Sequence, residues 1–195
     1  MVNPRATNED LTAKARIRNA ALDLYAQYGE DRISLRAVAA EAGVTLGLVQ
    51  HHFKTKAGLR QAVDQLVVDY FAHAIAEIPP KGTPNQIGAA RDEAVRAMLA
   101  DNPPVVNYVR RALLEPSEDR MHLLDVLVEL TQREVTALRK SGLASTKRRE
   151  SIQVVAVLVR QMGELLLAPM VDAVWERVAR PGDGDKPRLR VTVAD

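Results

Sequence analysis

Apolar residues recur three and four positions apart along most of the chain, the spacing that lines one side of an α-helix. Ile17, Ala21, Leu24 and Tyr28 predict the buried stripe of a first helix over residues 10–28, which Gly29 ends. Ser34 can cap a short second helix, and Leu35, Val38, Ala39 and Ala42 form its small apolar face. Gly43 stands where a chain leaves a helix with positive φ. Val44 then turns inward, Thr45 can cap again, and residues 46–52 fit two turns of a third helix. Thr55 can cap a fourth, in which Leu59, Val63, Leu66, Tyr70 and Ala74 keep helical spacing until Pro79-Pro80. At 1.5 Å per residue this rod spans roughly 35 Å.

The second half reads the same way. Thr83-Pro84 and Asn102-Pro103 are N-cap-then-proline starts for helices to about residues 100 and 114. Pro116-Ser117 restarts the chain, with Glu118 and Asp119 near the positive end of the next helix dipole. That helix carries two adjacent stripes, Met121/Leu124/Val128/Val135/Leu138 and Leu123/Leu127/Leu130/Ala137, and Gly142 closes it after Arg139 and Lys140. A last helix is expected from near Ser145, kinked or split at Pro169 and ended by Pro181-Gly182. It is apolar on nearly every face from Ile152 to Met170, so something must cover it all round, and a symmetric dimer supplies the second surface. Residues 1–9, with Arg5, read as a flexible arm and residues 182–195 as a flexible tail. The expectation is an all-α fold of about nine helices.

Two short helices joined by a tight glycine-containing turn make a helix-turn-helix, and the second has the width of the DNA major groove. Charge changes this picture little. The net charge is +2, with nine Lys/Arg against six Asp/Glu in residues 1–60 and eighteen against nineteen beyond. That suits a DNA-binding head on a near-neutral body. There is no cysteine, which excludes disulfides and thiolate metal sites and suits a reducing cytoplasm. The first residues lack the apolar core of a signal peptide. No run reaches the roughly 18 apolar residues of a membrane helix, the richest being broken by Arg160, Gln161 and Glu164, so no membrane partner is expected.

The pattern Ala39, Ala42-Gly43-Val44-Thr45, Gly47, Val49, His52-Phe53-Lys54, Lys56 and Leu59 resembles the DNA-binding region of the tetracycline-repressor (TetR) family of bacterial regulators. The likeness extends upstream through Ala15-Arg16-Ile17, Ala20-Ala21, Leu24-Tyr25 and Tyr28-Gly29, covering roughly residues 12–75. The chain departs from the family at Gln50, where a tyrosine is usual. Nothing beyond residue 80 carries a family-level signature. The resemblance implies a three-helix DNA-binding head over residues 1–55, joined by the connecting helix 56–79 to a larger body over residues 56–195. That body both dimerises and binds a small-molecule effector, whose binding changes the separation of the two heads and weakens their hold on a palindromic operator.

Candidate DNA contacts follow from position. Leu46, Gly47 and Leu48 open the third helix, where side chains touch base edges. Val44, Val49 and Phe53 fill its inward side, leaving the two leucines for thymine methyl groups. Gly47 serves either close backbone approach or helix packing. Arg36 matches guanine O6 and N7. Ser34, Thr45, Gln50, His51, His52 and Lys56 fit phosphate contacts that set register. Adjacent histidines point about 100° apart on a helix, and no carboxylate cluster joins His51 and His52, so neither a metal nor a catalytic role is assigned.

In the body, the polar residues inside apolar stretches are Asn107, Tyr108, Arg111, Gln132, Arg160, Gln161 and Glu164, with Trp175 as a possible wall; these are the effector-pocket candidates. No nucleophile–base pair, phosphate loop or metal-ligand spacing marks an enzyme, and no cofactor is implied. The expected function is a homodimeric, ligand-released repressor in the cytoplasm. An activator of the same fold is the alternative, with a helical adaptor or an enzyme using the body's cavity as further classes.

Overall fold

A computed structural model describes residues 12–114 and 121–194. The sequence-based arm, the start signal at Pro116-Ser117, and Glu118 and Asp119 lie outside the described residues. Among those described are eight α-helices and one 3-10 turn: α1 (Ala13–Tyr28), the turn Glu30–Arg32, α2 (Leu35–Glu41), α3 (Leu46–Phe53), α4 (Lys56–Ala76), α5 (Pro84–Asp101), α6 (Pro103–Leu114), α7 (His122–Lys140) and α8 (Glu150–Val178). They fall into two compact units, Met1–Leu127 and Val128–Asp195.

In the first unit every early helix begins on a hydroxyl. Thr12, Ser34, Thr45, Thr55 and Thr83 each accept a first-turn N–H, from Ala15, Ala37, Leu48, Gly58 and Gln86 respectively. These bonds satisfy amides that have no carbonyl partner. Gln86 answers from α5 with its side chain on the Thr83 amide, 2.9 Å away, completing a capping box. The five buried positions expected of α4 are all buried, together with Val67, Val68 and Phe71.

Helix α1 ends at Tyr28 before Gly29, as expected, but corrects the expectation at its start and in its buried stripe. It starts at Ala13 behind the Thr12 cap, and its buried arc is Ile17, Ala20, Ala21, Leu22, Tyr25 and Ala26. Tyr28 is 47% exposed and Leu24 only half-buried. The cause is non-local: α1 packs on α2, α4 and α6 together, so its covered arc is wider than one stripe and rotated from it. From α6, Arg111 reaches back to the end of α1 and donates from Nε and Nη2 to the Ala26 and Gln27 carbonyls, each 3.1 Å away.

In the second unit, Gly142 (φ 72°) closes α7. Its amide bonds the Arg139 carbonyl and the Leu143 amide bonds that of Leu138, the paired closure called a Schellman motif. Of the two α7 stripes, Leu123 and Leu127 in the first unit and Leu130 and Val135 in the second are buried, while Met121 and Ala137 are exposed. Helix α8 begins at Glu150, not near Ser145. The guanidinium of Arg139 takes the Ser145 and Arg148 carbonyls at 3.0 and 2.9 Å and the Gln153 side chain at 3.0 Å, which holds residues 145–148 as a loop. Pro169 does not split α8, which runs unbroken to Val178.

Val154, Leu158, Met162 and Leu165 form the buried stripe of α8. Against the sequence expectation, α8 is long and apolar enough by composition to cross a membrane, with a mean hydropathy of 1.7 in its richest window. Its few polar residues are outweighed in the average by their neighbours. Only 22% of that window is buried.

Candidate nucleic-acid interface

The reading helix is positioned by the turn before it. Gly43 adopts φ 65°, its amide bonding the Ala40 carbonyl and the Val44 amide that of Ala39, at 3.1 and 2.9 Å. This is again a Schellman closure, and it aims the chain directly into the Thr45 cap of α3. Val38, Ala39 and the capping Ala42 on one side and Val49 and Phe53 on the other are buried, and the two helices pack together.

The opposite side of α3 faces solvent. Gly47, Gln50 and His51 are exposed, while Leu46, Leu48 and His52 are half-buried, as is Val44. A Cβ on Gly47 would meet only the Thr45 hydroxyl, 3.9 Å away, so packing does not require glycine there. Arg36 is exposed on the first turn of α2. Ser34 and Thr45 use their oxygens as caps. Lys56 is half-buried, its Nζ 3.5 Å from the Asp31 carbonyl. The rings of His51 and His52 meet edge to face at 5.3 Å.

The junction of α3 and α4 is tight. Lys54 has φ 63° and ψ −57°, and the Thr55 amide bonds the Phe53 carbonyl at 2.7 Å across it. That is a γ-turn of the strained kind, which an L-residue adopts at a cost. The same carbonyl lies 2.3 Å from where a Cβ of Gly58 would be, so α4 can approach only because residue 58 has none. Lys54, exposed at this corner, is absent from the sequence-based contacts, although it belongs to the His52-Phe53-Lys54 motif.

The pocket candidates separate. Tyr108 and Arg111 line a small cavity in the first unit with Tyr25, Gly29, Glu30, Arg60, Asp64 and Ala112. Asn107 and Gln132 are exposed, and Arg160, Gln161, Glu164 and Trp175 are half-buried on α8. The cavity measures about 30 Å³, room for a water molecule, whereas organic ligands need several hundred.

Its hub is Asp64, a buried carboxylate that receives the Tyr108 hydroxyl at 2.6 Å and faces His122 Nδ1 at 2.9 Å. Burial raises the Asp64 pKa above the usual carboxylate range, opposed by the hydrogen bonds from Tyr108 and His122. Burial likewise keeps the Tyr25 and Tyr108 hydroxyls protonated far into alkali. The Tyr25 hydroxyl is buried with no hydrogen-bond partner among the described residues. Sequence reading missed Asp64, Arg60 and Tyr25. The available signal was an acid next to Val63 on the apolar side of α4.

A solvent-facing helix held by a capped turn against α1, α2 and α4 has the arrangement of a helix-turn-helix. Residues 17–63 match the model for bacterial regulatory proteins, tetR family. Over 60 residues the chain is 50% identical to the HTH-type transcriptional regulatory protein RaaS of Mycobacterium tuberculosis, which covers 31% of this chain and 28% of that protein. The chain thus spans under a third of that relative's length. The fold extends further. A tetR-family transcriptional regulator from Streptomyces coelicolor superposes with a TM-score of 0.61 at 20% identity, covering 83% of this chain and 71% of that one. FadR from Bacillus subtilis, in complex with stearoyl-CoA, gives a TM-score of 0.64 at 16% identity, covering 81% of this chain and 88% of that one. Residues 17–63 thus carry the DNA-binding region of the tetR family, and the fold as a whole is similar to that of tetR-family regulators.

Proposed function

We propose that this chain is a homodimeric transcriptional repressor that binds a palindromic operator through α3 and releases it when a small molecule binds its body. The observation that carries this reading is the outward surface of α3, with Gly47, Gln50 and His51 open to solvent behind a buried Val49 and Phe53. Leu46 and Leu48 meet thymine methyl groups, Gly47 admits the sugar–phosphate backbone, and Arg36 reads a guanine edge. Ser34, Thr45, Gln50, His51, His52 and Lys56 hold phosphates, and Lys54 joins them from its corner. The exposed apolar side of α8 pairs with its copy in a second subunit, which brings two heads to half-sites one helical turn, about 34 Å, apart. Such a protein works where the chromosome is, in the cytoplasm, and performs no catalysis.

The effector site lies in the body. FadR, similar in fold, is seen in complex with stearoyl-CoA, which supports a ligand site in the body. Here the cavity beneath Tyr108 and Arg111 has to enlarge on binding, because its present volume admits water only. Movement of α6 there reaches the head through Arg111 and α1.

The test is retardation of palindromes from the DNA flanking its own gene, at several salt concentrations. Arg36→Ala should weaken operator binding by about 1–3 kcal/mol and relax preference at one base pair. Lys56→Ala should weaken all sequences alike and lower the salt slope by about one. A chain that retards no such palindrome is not this regulator, and unchanged affinity in both variants overturns the contact assignments.

A further inference from the structure

Six large apolar side chains on α8 are exposed: Val155, Val159, Leu167, Met170, Val174 and Val178. At about 100° per residue they form one arc, and Gly163 sits near its middle. That glycine is not bare. Val191 lies over it so closely that a Cβ on residue 163 would be 2.9 Å from Val191 Cγ1 and 3.3 Å from its Cβ.

The chain gets there by a defined route. After α8, Arg180, Pro181, Gly182 and Asp183 make a turn in which the Asp183 amide bonds the Arg180 carbonyl at 3.1 Å and Gly182 takes φ 100°. Proline followed by glycine at those two positions is the signature of a type II turn. The Asp183 carboxylate also accepts from the Arg180 amide at 2.7 Å. Lys186 then pairs with Asp172 on α8. From there Leu189, Val191 and Val193 are half-buried while Arg188, Arg190 and Thr192 are exposed, the alternation of an extended segment with one side covered. A glycine inside a helix is unfavourable relative to alanine. Here it provides the notch that admits a valine.

We infer that residues 186–193 are a strap that docks across the notch at Gly163 and gates pairing of α8 with a second copy. This rests on the dimer reading above. Two α8 helices approach most closely where side chains are smallest, and Val191 occupies that place. The strap's hold is weak. Three half-covered apolar side chains and one solvent-exposed ion pair must offset the ordering of a whole segment, so a second subunit can displace it. Self-association is therefore opposed by the chain's own tail, and anything that sequesters the basic segment at Lys186, Arg188 and Arg190 favours the dimer.

The chain has no cysteine, so the contact can be tested by a crosslink. In the full-length Gly163→Cys/Val191→Cys variant, the two Cβ positions suit a disulfide closely enough to form one with a small backbone adjustment. Oxidised under dilute conditions, the variant should crosslink within one chain and sediment as a monomer, and reduction should restore dimers. Val191→Ser in the otherwise unchanged chain should tighten the dimer about tenfold by sedimentation equilibrium. A crosslink found only between chains, or crosslinked protein that dimerises like the reduced form, overturns the strap while leaving the dimer reading intact. So does a dimer unaltered or weakened by Val191→Ser. If the unmodified chain and Val191→Ser both stay monomeric at all concentrations, the dimer reading fails and the gate fails with it.

Discussion

Replacing Asp64 by alanine should lower the stability of the protein by about 3 kcal/mol at neutral pH, the largest loss expected from a polar substitution here. The side chain is almost completely buried and accepts the Tyr108 hydroxyl, with His122 at its other oxygen. Alanine removes the acceptor and leaves a buried hydroxyl with no partner. Asp64→Asn keeps an oxygen for Tyr108 and offers an N–H to the histidine ring, so its cost should be about 1 kcal/mol. Urea denaturation of both variants checks the order, and equal losses would show that the acceptor is not what matters. The pH dependence has a definite sign. Because the folded-state pKa is raised, the native protein keeps a proton on Asp64 that the unfolded chain has already lost. This contribution to stability is fully present below the ordinary carboxylate range and declines as pH rises to the raised value. Above that it is level. Asp64→Asn should therefore flatten the acid limb of the stability profile.

Gly58→Ala should be the most damaging small substitution in the head, costing about 1–3 kcal/mol. The added carbon would meet the Phe53 carbonyl oxygen at 2.3 Å, and that atom is backbone, already tied into the turn at Lys54. Either α4 withdraws or the end of α3 shifts. Specific DNA affinity should then fall at least tenfold, since a displacement near 1 Å is enough to spoil base-edge hydrogen bonds. Gly47→Ala makes the contrast. It has open space and a better helix former, so stability should hold or rise by up to about 1 kcal/mol. Its DNA affinity should nevertheless fall, because the added methyl points where the sugar–phosphate backbone is proposed to come. Melting and binding curves for the pair separate a glycine needed for folding from one needed for DNA.

What could be foreseen follows the range of the interactions. The head was legible because its determinants are local: Ser34, Thr45 and Thr55 cap amides three residues ahead, and Gly43 closes its own helix. The orientation of α1 was not, because the helix that covers Tyr25 and Ala26 lies some eighty residues away in sequence, with Arg111 at 85 residues from Ala26. Asp64 drew no sequence-based role, because its partners Tyr108 and His122 come to it from 44 and 58 residues away. The start of α8 was misplaced because Ser145, a fair cap by residue type, gives its carbonyl to Arg139 instead. Tyr108 and Arg111 were read as polar groups inside an apolar stretch; that one bonds Asp64 on the connecting helix and the other the end of α1 needed the fold.

The two bonds from Arg111 to the last carbonyls of α1 have a mechanical consequence. Ordinarily a helix end frays, and its final turn absorbs small displacements before they travel further. Here that slack is removed by a planar fork fixed to both carbonyls, so a shift of α6 must either break the grip or drag the first helix bodily with it. The knot that steadies the head at rest also makes it unable to ignore what happens behind it.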